Sequence, residues 1–256
     1  MRIVTKKQLE KLIEKRISEE RKKNQSLYRK QILDYSRDLM ALQSQINPHF
    51  LYNSLECIRG LAMIEGSNEI ARISENLSNF FRYNINIKRD IVTIHDEVEN
   101  VKNYITIQQF RFQDKFQIHY DFENNSHLLA HSLPKLTLQP LVENALNHGL
   151  KDTLTDGLIT ITLEEGDSFL LIHIIDNGKG IEPPRLIEIQ NALYDAELQQ
   201  LSSDRSNNGS ALLNVHHRLQ LHFGFEFGLE IKSALGFGTR ITIRLPRKDK
   251  NPIHYE

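Results

Sequence analysis

A proline followed directly by a histidine breaks an apolar pattern at Gln45-Ile46-Asn47-Pro48-His49-Phe50-Leu51-Tyr52-Asn53. Proline inside a helix removes a backbone donor and clashes with the preceding turn, at a cost of roughly 3 kcal/mol. Packing two helices does not require that cost; a reactive imidazole at the break would give it a reason. Upstream, Tyr28, Ile32, Tyr35, Leu39, Leu42 and Ile46 alternate steps of four and three, a coiled-coil seam. Downstream the stripe restarts in another phase at Leu51, Leu55, Ile58 and Ala62. At about 100° per residue, His49 lies roughly 160° from that second stripe, with Asn53 and Glu56 within about 40° of it. An imidazole, an amide and a carboxylate therefore share a face turned from the core. The plain alternative is a surface histidine. The chemical one is a nucleophile, since free imidazole titrates near ~6.5 and is largely neutral at pH 7.

Three further blocks have residue types suited to a nucleotide. Glu143-Asn144-Ala145-Leu146-Asn147-His148-Gly149 ends an apolar helix, with Asn144, Asn147 and His148 on or near one face. An amide oxygen there suits Mg²⁺, which keeps several waters and takes few protein ligands. Asp176-Asn177-Gly178-Lys179-Gly180 follows an apolar strand. Its carboxylate can accept a hydrogen bond from an exocyclic amine such as adenine N6, and Gly178 and Gly180 let the backbone approach a flat ring. Gly209-Ser210-Ala211-Leu212-Leu213-Asn214 opens a helix, where backbone N–H groups can face a phosphate. A late Gly236-Phe237-Gly238-Thr239 turn could bring the Thr239 hydroxyl to a base edge. Taken singly, each has a plain alternative: a polar helix end, an Asp-Asn-Gly turn, an ordinary helix start.

Together these residues resemble the LytS/YesM-type sensor histidine kinases of two-component systems, over roughly residues 40–246. The Gln45 to Asn53 stretch is similar to that family's phosphoacceptor motif. Leu138 to Gly149 resembles its N box, Asp176 to Gly180 its G1 box and Gly209 to Asn214 its G2 box. The resemblance implies His49 as phosphoacceptor, Asn144 as Mg²⁺ ligand and Asp176 as adenine reader. It implies ATP with Mg²⁺, a homodimer, and a response regulator as phosphoryl acceptor. Asn53 and Glu56 become candidates for handling the imidazole, its proton or a water. Two departures stand out. Ala211 occupies the position of the second G2 glycine, and at positive φ it would cost roughly 1–2 kcal/mol. Phe50, rather than an acid, follows the histidine, which leaves the general base open.

The positioning elements follow from periodicity. Residues 1–46 read as a coiled-coil signalling helix and 47–113 as dimerisation and phosphotransfer helices, with a hairpin turn between Gly60 and Gly66 and Ser67 as an N-cap. Thr93 opens a helix with Asp96 in a capping box. Period-two alternation starts at Phe116, so residues 114–248 are expected to form the catalytic α/β domain. Pro134 is expected to start a helix running to His148. Strands are expected at 158–164, 169–175, 229–233 and 239–245, and a helix at 211–223. Residues 182–208 read as a polar lid. The expected fold is thus helical and then α+β: a dimeric four-helix bundle followed by a Bergerat (GHKL) sandwich with a largely antiparallel sheet.

Composition sets outer limits. The 256 residues carry a net charge of −1, with 39% apolar and 25% charged residues. That balance gives no sign of nucleic-acid or anionic-membrane binding. The one cysteine, Cys57, excludes an intrachain disulfide and suits a reducing compartment. No apolar run reaches the ~18 residues of a membrane span. A cytoplasmic protein is expected, or the cytoplasmic part of a membrane receptor anchored by a segment outside this chain. His127 and His131 lack a third ligand at useful spacing, which argues against a metal enzyme. The competing classes are an ATP-binding regulatory scaffold weakened at Ala211, and a GHKL ATPase or serine kinase with no phosphoacceptor histidine.

Overall fold

The computed structural model describes residues 48–85, 90–112, 116–150, 156–194 and 210–247. The expected coiled coil and Gly209 lie outside the described residues. The chain divides into two compact units, Met1–Leu51 and Tyr52–Glu256. Of the first, Pro48–Leu51 is described; it forms the first turn of helix α1 (Pro48–Ile64), where proline's missing N–H takes away no intrahelical hydrogen bond.

Helix α1 ends in a Schellman turn. Gly66, at φ 73°, takes the left-handed position, Ser67 N–H reaches the Ala62 carbonyl at 2.8 Å and Gly66 N–H the Met63 carbonyl at 3.2 Å. Ser67 then starts α2 (Asn68–Ile85), its carbonyl accepting from Ala71 N–H. Gly60, inside the expected turn region, instead sits within α1. The buried residues of α2 are Ser74 and Ser78, and Phe80 stacks 5.8 Å from Tyr104.

Strand β1 (Ile91–Thr93) leads into α3 (Ile94–Phe112). The capping box is complete: Asp96 N–H donates to Thr93 Oγ1 at 3.1 Å, and Thr93 N–H to Asp96 Oδ2 at 3.0 Å. The sequence pattern groups α3 with the helical half. In packing, its Ile94, Val98, Val101 and Ile105 enter the same core as the sheet.

Beyond β2 (Phe116–Asp121), a short 3₁₀ turn and β3 (Ser132–Pro134) pass the chain to α4 (Leu138–Asn144). Here the expectation of a helix from Pro134 is corrected. Pro134 closes β3, which pairs antiparallel with β1, and the chain turns through Leu136 at φ 60° before helix can begin. Nor does α4 stay regular: residues Ala145–Gly149 form a π turn, closed by Leu150 N–H on the Ala145 carbonyl.

Strands β4 (Gly157–Glu165), β5 (Phe169–Asp176), β6 (Gly228–Ala234) and β7 (Gly238–Pro246) complete a five-stranded sheet of order β2-β4-β5-β7-β6. Among the described residues, only the β2–β4 pairing is parallel. Alternation sends Ile159, Ile161, Ile172, Ile174, Ile241 and Ile243 to one face, under Leu141, Val142 and Val215 and Leu219 of α6 (Ser210–Phe223). His173, Thr242 and Arg244 lie on the opposite, partly solvated face. Residues 183–194 of the expected lid are instead helix α5 (Pro183–Tyr194), entered through two prolines in its first turn. Gln190 Nε2 fastens it to the Ile231 carbonyl of β6.

Candidate active site

The end of β5 is the fixed point of the α/β half. Asp176 is buried, and its carboxylate accepts from Gly178 N–H at 2.9 Å and from Thr239 N–H. Burial pushes its pKa above the ordinary carboxylate value, and these two donors partly offset that. A carboxylate held this way at a strand end can receive one more donor from a ligand.

Glycines close around it because side chains would not fit. A methyl group at Gly149 would stand 2.7 Å from Asp176 Oδ1, one at Gly178 2.2 Å from the Gly149 carbonyl oxygen, and one at Gly238 1.9 Å from the Asp176 carbonyl oxygen. Gly180 and Gly238 also need positive φ, at 72° and 88°. Lys179 N–H donates to the Gly149 carbonyl at 3.0 Å, and Gly236 N–H to the Lys179 carbonyl at 2.7 Å. The loop after β5 is thereby stitched to the π turn on one side and the β6–β7 hairpin on the other. Asn177 serves this loop: its Oδ1 accepts from Leu158 N–H and its Nδ2 donates to the Asp156 carbonyl. The Thr239 hydroxyl, expected at a base edge, shares a 3.0 Å hydrogen bond with Ser233 Oγ.

The π turn packs against the ends of β5 and β7. Asn144, half-buried, is the last residue of α4 before it; Asn147 and His148 are exposed on it. Thus Gly149, Asp176, Gly178, Gly180, Gly238 and Thr239 converge, with Asn144 on the adjoining helix end. Gly149 and Gly238 were readable only as turn residues, because their closeness to Asp176 is made by the fold. Ala211 lies within helix α6 rather than at positive φ, so the strain anticipated for it does not arise.

An Mg²⁺ ion carried by nucleotide phosphates takes one or two protein oxygens and several waters. The half-buried Asn144 amide fits that need. Among the described residues no group of three His, Cys, Asp or Glu gathers to hold a metal by itself.

On α1, His49 and Asn53 are exposed. Glu56 is exposed too, and its Oε2 accepts from Arg59 Nε at 2.9 Å in an (i, i+3) ion pair.

Two family models match the chain: "Histidine kinase" over residues 37–116 and "Histidine kinase-, DNA gyrase B-, and HSP90-like ATPase" over residues 133–249. Sensor histidine kinase YesM of Bacillus subtilis (strain 168) is 36% identical over 92% of this chain. The chain belongs to the LytS/YesM-type sensor histidine kinases. Sensor histidine kinase YpdA of Escherichia coli (strain K12) is 37% identical over 84% of the chain, and Sensor protein LytS of Streptococcus agalactiae serotype V (strain ATCC BAA-611 / 2603 V/R) 31% over 85%. The chain spans about a third of these relatives, 37%, 35% and 35% of their lengths respectively. A histidine kinase domain from the Erythrobacter litoralis EL346 blue-light activated kinase aligns at TM-score 0.42 and 14% identity, covering 77% of this chain and 95% of that one. In this family frame the sandwich is the histidine-kinase ATPase fold. Among the described residues no helix is long and apolar enough to cross a membrane.

Proposed function

We propose that this histidine kinase binds ATP at Asp176, transfers the γ-phosphoryl group to His49, and passes it to an aspartate of a response regulator. The observation that carries this reading is the buried Asp176 carboxylate, walled by backbone at Gly149, Gly178 and Gly238, on a chain whose Pro48-His49 turn leaves the histidine exposed.

In this reading Asp176 accepts a hydrogen bond from the adenine amine, and the glycine walls admit the flat ring. Gly178 and Gly180 hold the loop beside it, and Thr239 fixes Asp176 through its backbone. Asn144 is the Mg²⁺ ligand, with Asn147 and His148 bordering the phosphates; Gly209, outside the described residues, is assigned to phosphate binding by the family resemblance alone. Mg²⁺ supplies charge neutralisation at the phosphates. A His49 ring nitrogen attacks phosphorus; the bond to the ADP oxygen breaks, and ADP leaves. Exposure lets the imidazole meet the donor and later the regulator. Glu56 orients the second ring nitrogen or takes its proton, exchanging its contact with Arg59. Asn53 holds the imidazole or a water.

The reading includes a homodimer. Ile58, Leu61, Met63, Ile64 and Ile70 of the α1–α2 hairpin are exposed, as a hairpin pairing into a four-helix bundle requires. It divides the chain into a coiled coil over 1–46, phosphotransfer helices over 47–113 and a catalytic domain over 114–248, acting on the cytoplasmic side. The test is incubation with γ-labelled ATP and Mg²⁺, followed by a chase with a receiver domain. Acid-labile, base-stable label that moves to the receiver is expected; label confined to serine or threonine would contradict it.

A further inference from the structure

Glu97 lies in the first turn of α3, fully buried at 0% exposure. An uncompensated carboxylate is not tolerated at such a place, so its partners define its purpose. One oxygen accepts from the Tyr83 hydroxyl in the last turn of α2, and also from Leu136 N–H at 2.7 Å. The other accepts from Leu138 N–H at 2.8 Å, at the start of α4. Thr137, which precedes α4, makes no side-chain cap; its hydroxyl donates to the Pro134 carbonyl instead. Glu97 thus does for α4 what a local cap residue normally does. The Leu136 carbonyl accepts from Arg218 Nη2 of α6, and the guanidinium is electrostatically coupled to Glu97. Both polar groups of Leu136 are thereby engaged, which holds it at its unusual φ of 60°. The Lys135 ammonium stands 4.8 Å from the Tyr83 ring centre. Burial first, and Glu97 second, push the Tyr83 pKa far above its ordinary value, so the hydroxyl remains a donor.

From this junction a continuous path runs to the nucleotide end. A second rung ties α3 to α4: Asn100 Nδ2 donates to Gln139 Oε1 at 2.7 Å, and Gln139 Nε2 to Glu143 Oε1 at 2.8 Å, next to Asn144. The π turn after α4 then presents Gly149, whose carbonyl accepts from Lys179 N–H and where an added methyl group would collide with the Asp176 carboxylate.

We propose that Tyr83 and Glu97 are positioning residues of the nucleotide site, joining the last turn of α2 to the helix that carries Asn144 and Gly149. Through them the hairpin and the nucleotide influence one another, and that influence is reciprocal. The inference depends on nucleotide binding at Asp176, so its test separates the two.

Hydrogen exchange of the full chain is measured with and without MgADP, for wild type and Tyr83→Phe, alongside ADP affinity and melting temperature. MgADP is expected to slow exchange at residues 175–180 and, by about fivefold or more, at residues 80–85. In Tyr83→Phe the protection at 80–85 should fall below about twofold, while that at 175–180 and the ADP-bound fold persist. Rescue of the 80–85 effect should not occur with any nucleotide concentration that saturates the variant. Protection at 175–180 without any at 80–85 in wild type overturns this inference alone. Undiminished protection at 80–85 in the variant does the same, and marks the Tyr83–Glu97 bond as a purely structural cap. Absence of protection at 175–180 in wild type overturns the nucleotide reading and this inference with it.

Discussion

In the α1–α2 hairpin the buried side chains are few and small or medium: Leu55, Ala62, Ser74 and Ser78. Ile58, Leu61, Met63, Ile64 and Ile70 stand largely in solvent. In the α/β half, by contrast, Ile159, Ile172, Ile243, Leu141 and Leu219 have 0% exposure, and the glycines around Asp176 sit where an added methyl group would collide. The candidate nucleotide end around Asp176 is therefore shaped by the packing of one chain. The hairpin carries its histidine by exposure and leaves apolar side chains exposed, the face that the proposed homodimer would cover. In the proposed reading one region holds a ligand in a fixed geometry, and the other presents a group and associates.

The sharpest way to break that contrast is to remove equal side chains from both regions. Ile172→Ala should cost about 2–5 kcal/mol in chemical denaturation. Ile64→Ala, at 85% exposure, should change the stability of the separated chain by less than about 0.5 kcal/mol while weakening self-association by sedimentation. Equal costs would show that the hairpin is packed within one chain.

Acid tests the rigidity of the α/β half. His216 is buried, its Nδ1 accepting from Leu229 N–H at 2.9 Å, and burial lowers its pKa to about 4. The folded value lies below the unfolded ~6.5. Its stabilisation is thus present above pH 6.5 and is lost as pH falls through 4, by roughly 3 kcal/mol in all. His216→Gln, which keeps an acceptor without titrating, should lose less stability between pH 7 and pH 4 in parallel melts. Identical losses would remove His216 from the account.

Much of this division can be read from residue types. The phase shift across Pro48, the Thr93–Asp96 box and the period-two runs all express local chemistry, and the structure forms the box and the strands within a residue or two; the stripe upstream of Pro48 lies outside the described residues. What stayed hidden depends on distant partners. Glu97 looks like any acid in a first helical turn, yet its partners lie 14, 39 and 41 residues away in sequence. Pro134 reads as a helix start because its strand partner, Ile91, makes a pairing too short to show a period. The π turn has no composition of its own. Helix α5 was masked by polar residues on an exposed face, although Pro183-Pro184 is a usable start signal. At the site, Asp176 and its glycines were legible as a turn, whereas the wall at Gly149 comes from the π turn and that at Gly238 from strand register.

Asp176 sharpens the comparison from the ligand side. Asp176→Asn should weaken ATP binding by calorimetry about tenfold to a hundredfold, as expected for a lost charged hydrogen bond. The stability of the ligand-free chain at pH 7 should hold or rise. Its pKa is raised in the folded state, so its stabilising contribution exists below the unfolded value and is lost as pH rises through the folded one. Its ionised form is therefore a cost to the fold, which the proposed function assigns to binding. Unchanged ATP affinity would remove its assigned role.

The smallest effect belongs to the exposed helix. Glu56→Gln should slow autophosphorylation a few-fold with ATP affinity unchanged, and its lost pairing with Arg59 should cost under about 1 kcal/mol. An unaltered rate would leave Glu56 as a solvated partner of Arg59.

Mapping the phosphorylated residue by mass spectrometry at neutral pH, in wild type and His49→Gln after incubation with ATP and Mg²⁺, meets the central claim head-on. Phosphate on His49 in wild type, and none on the variant although it still binds ATP, is the predicted result. Phosphate on the variant at wild-type levels, or a wild-type chain that binds ATP and leaves His49 unmodified, would contradict it.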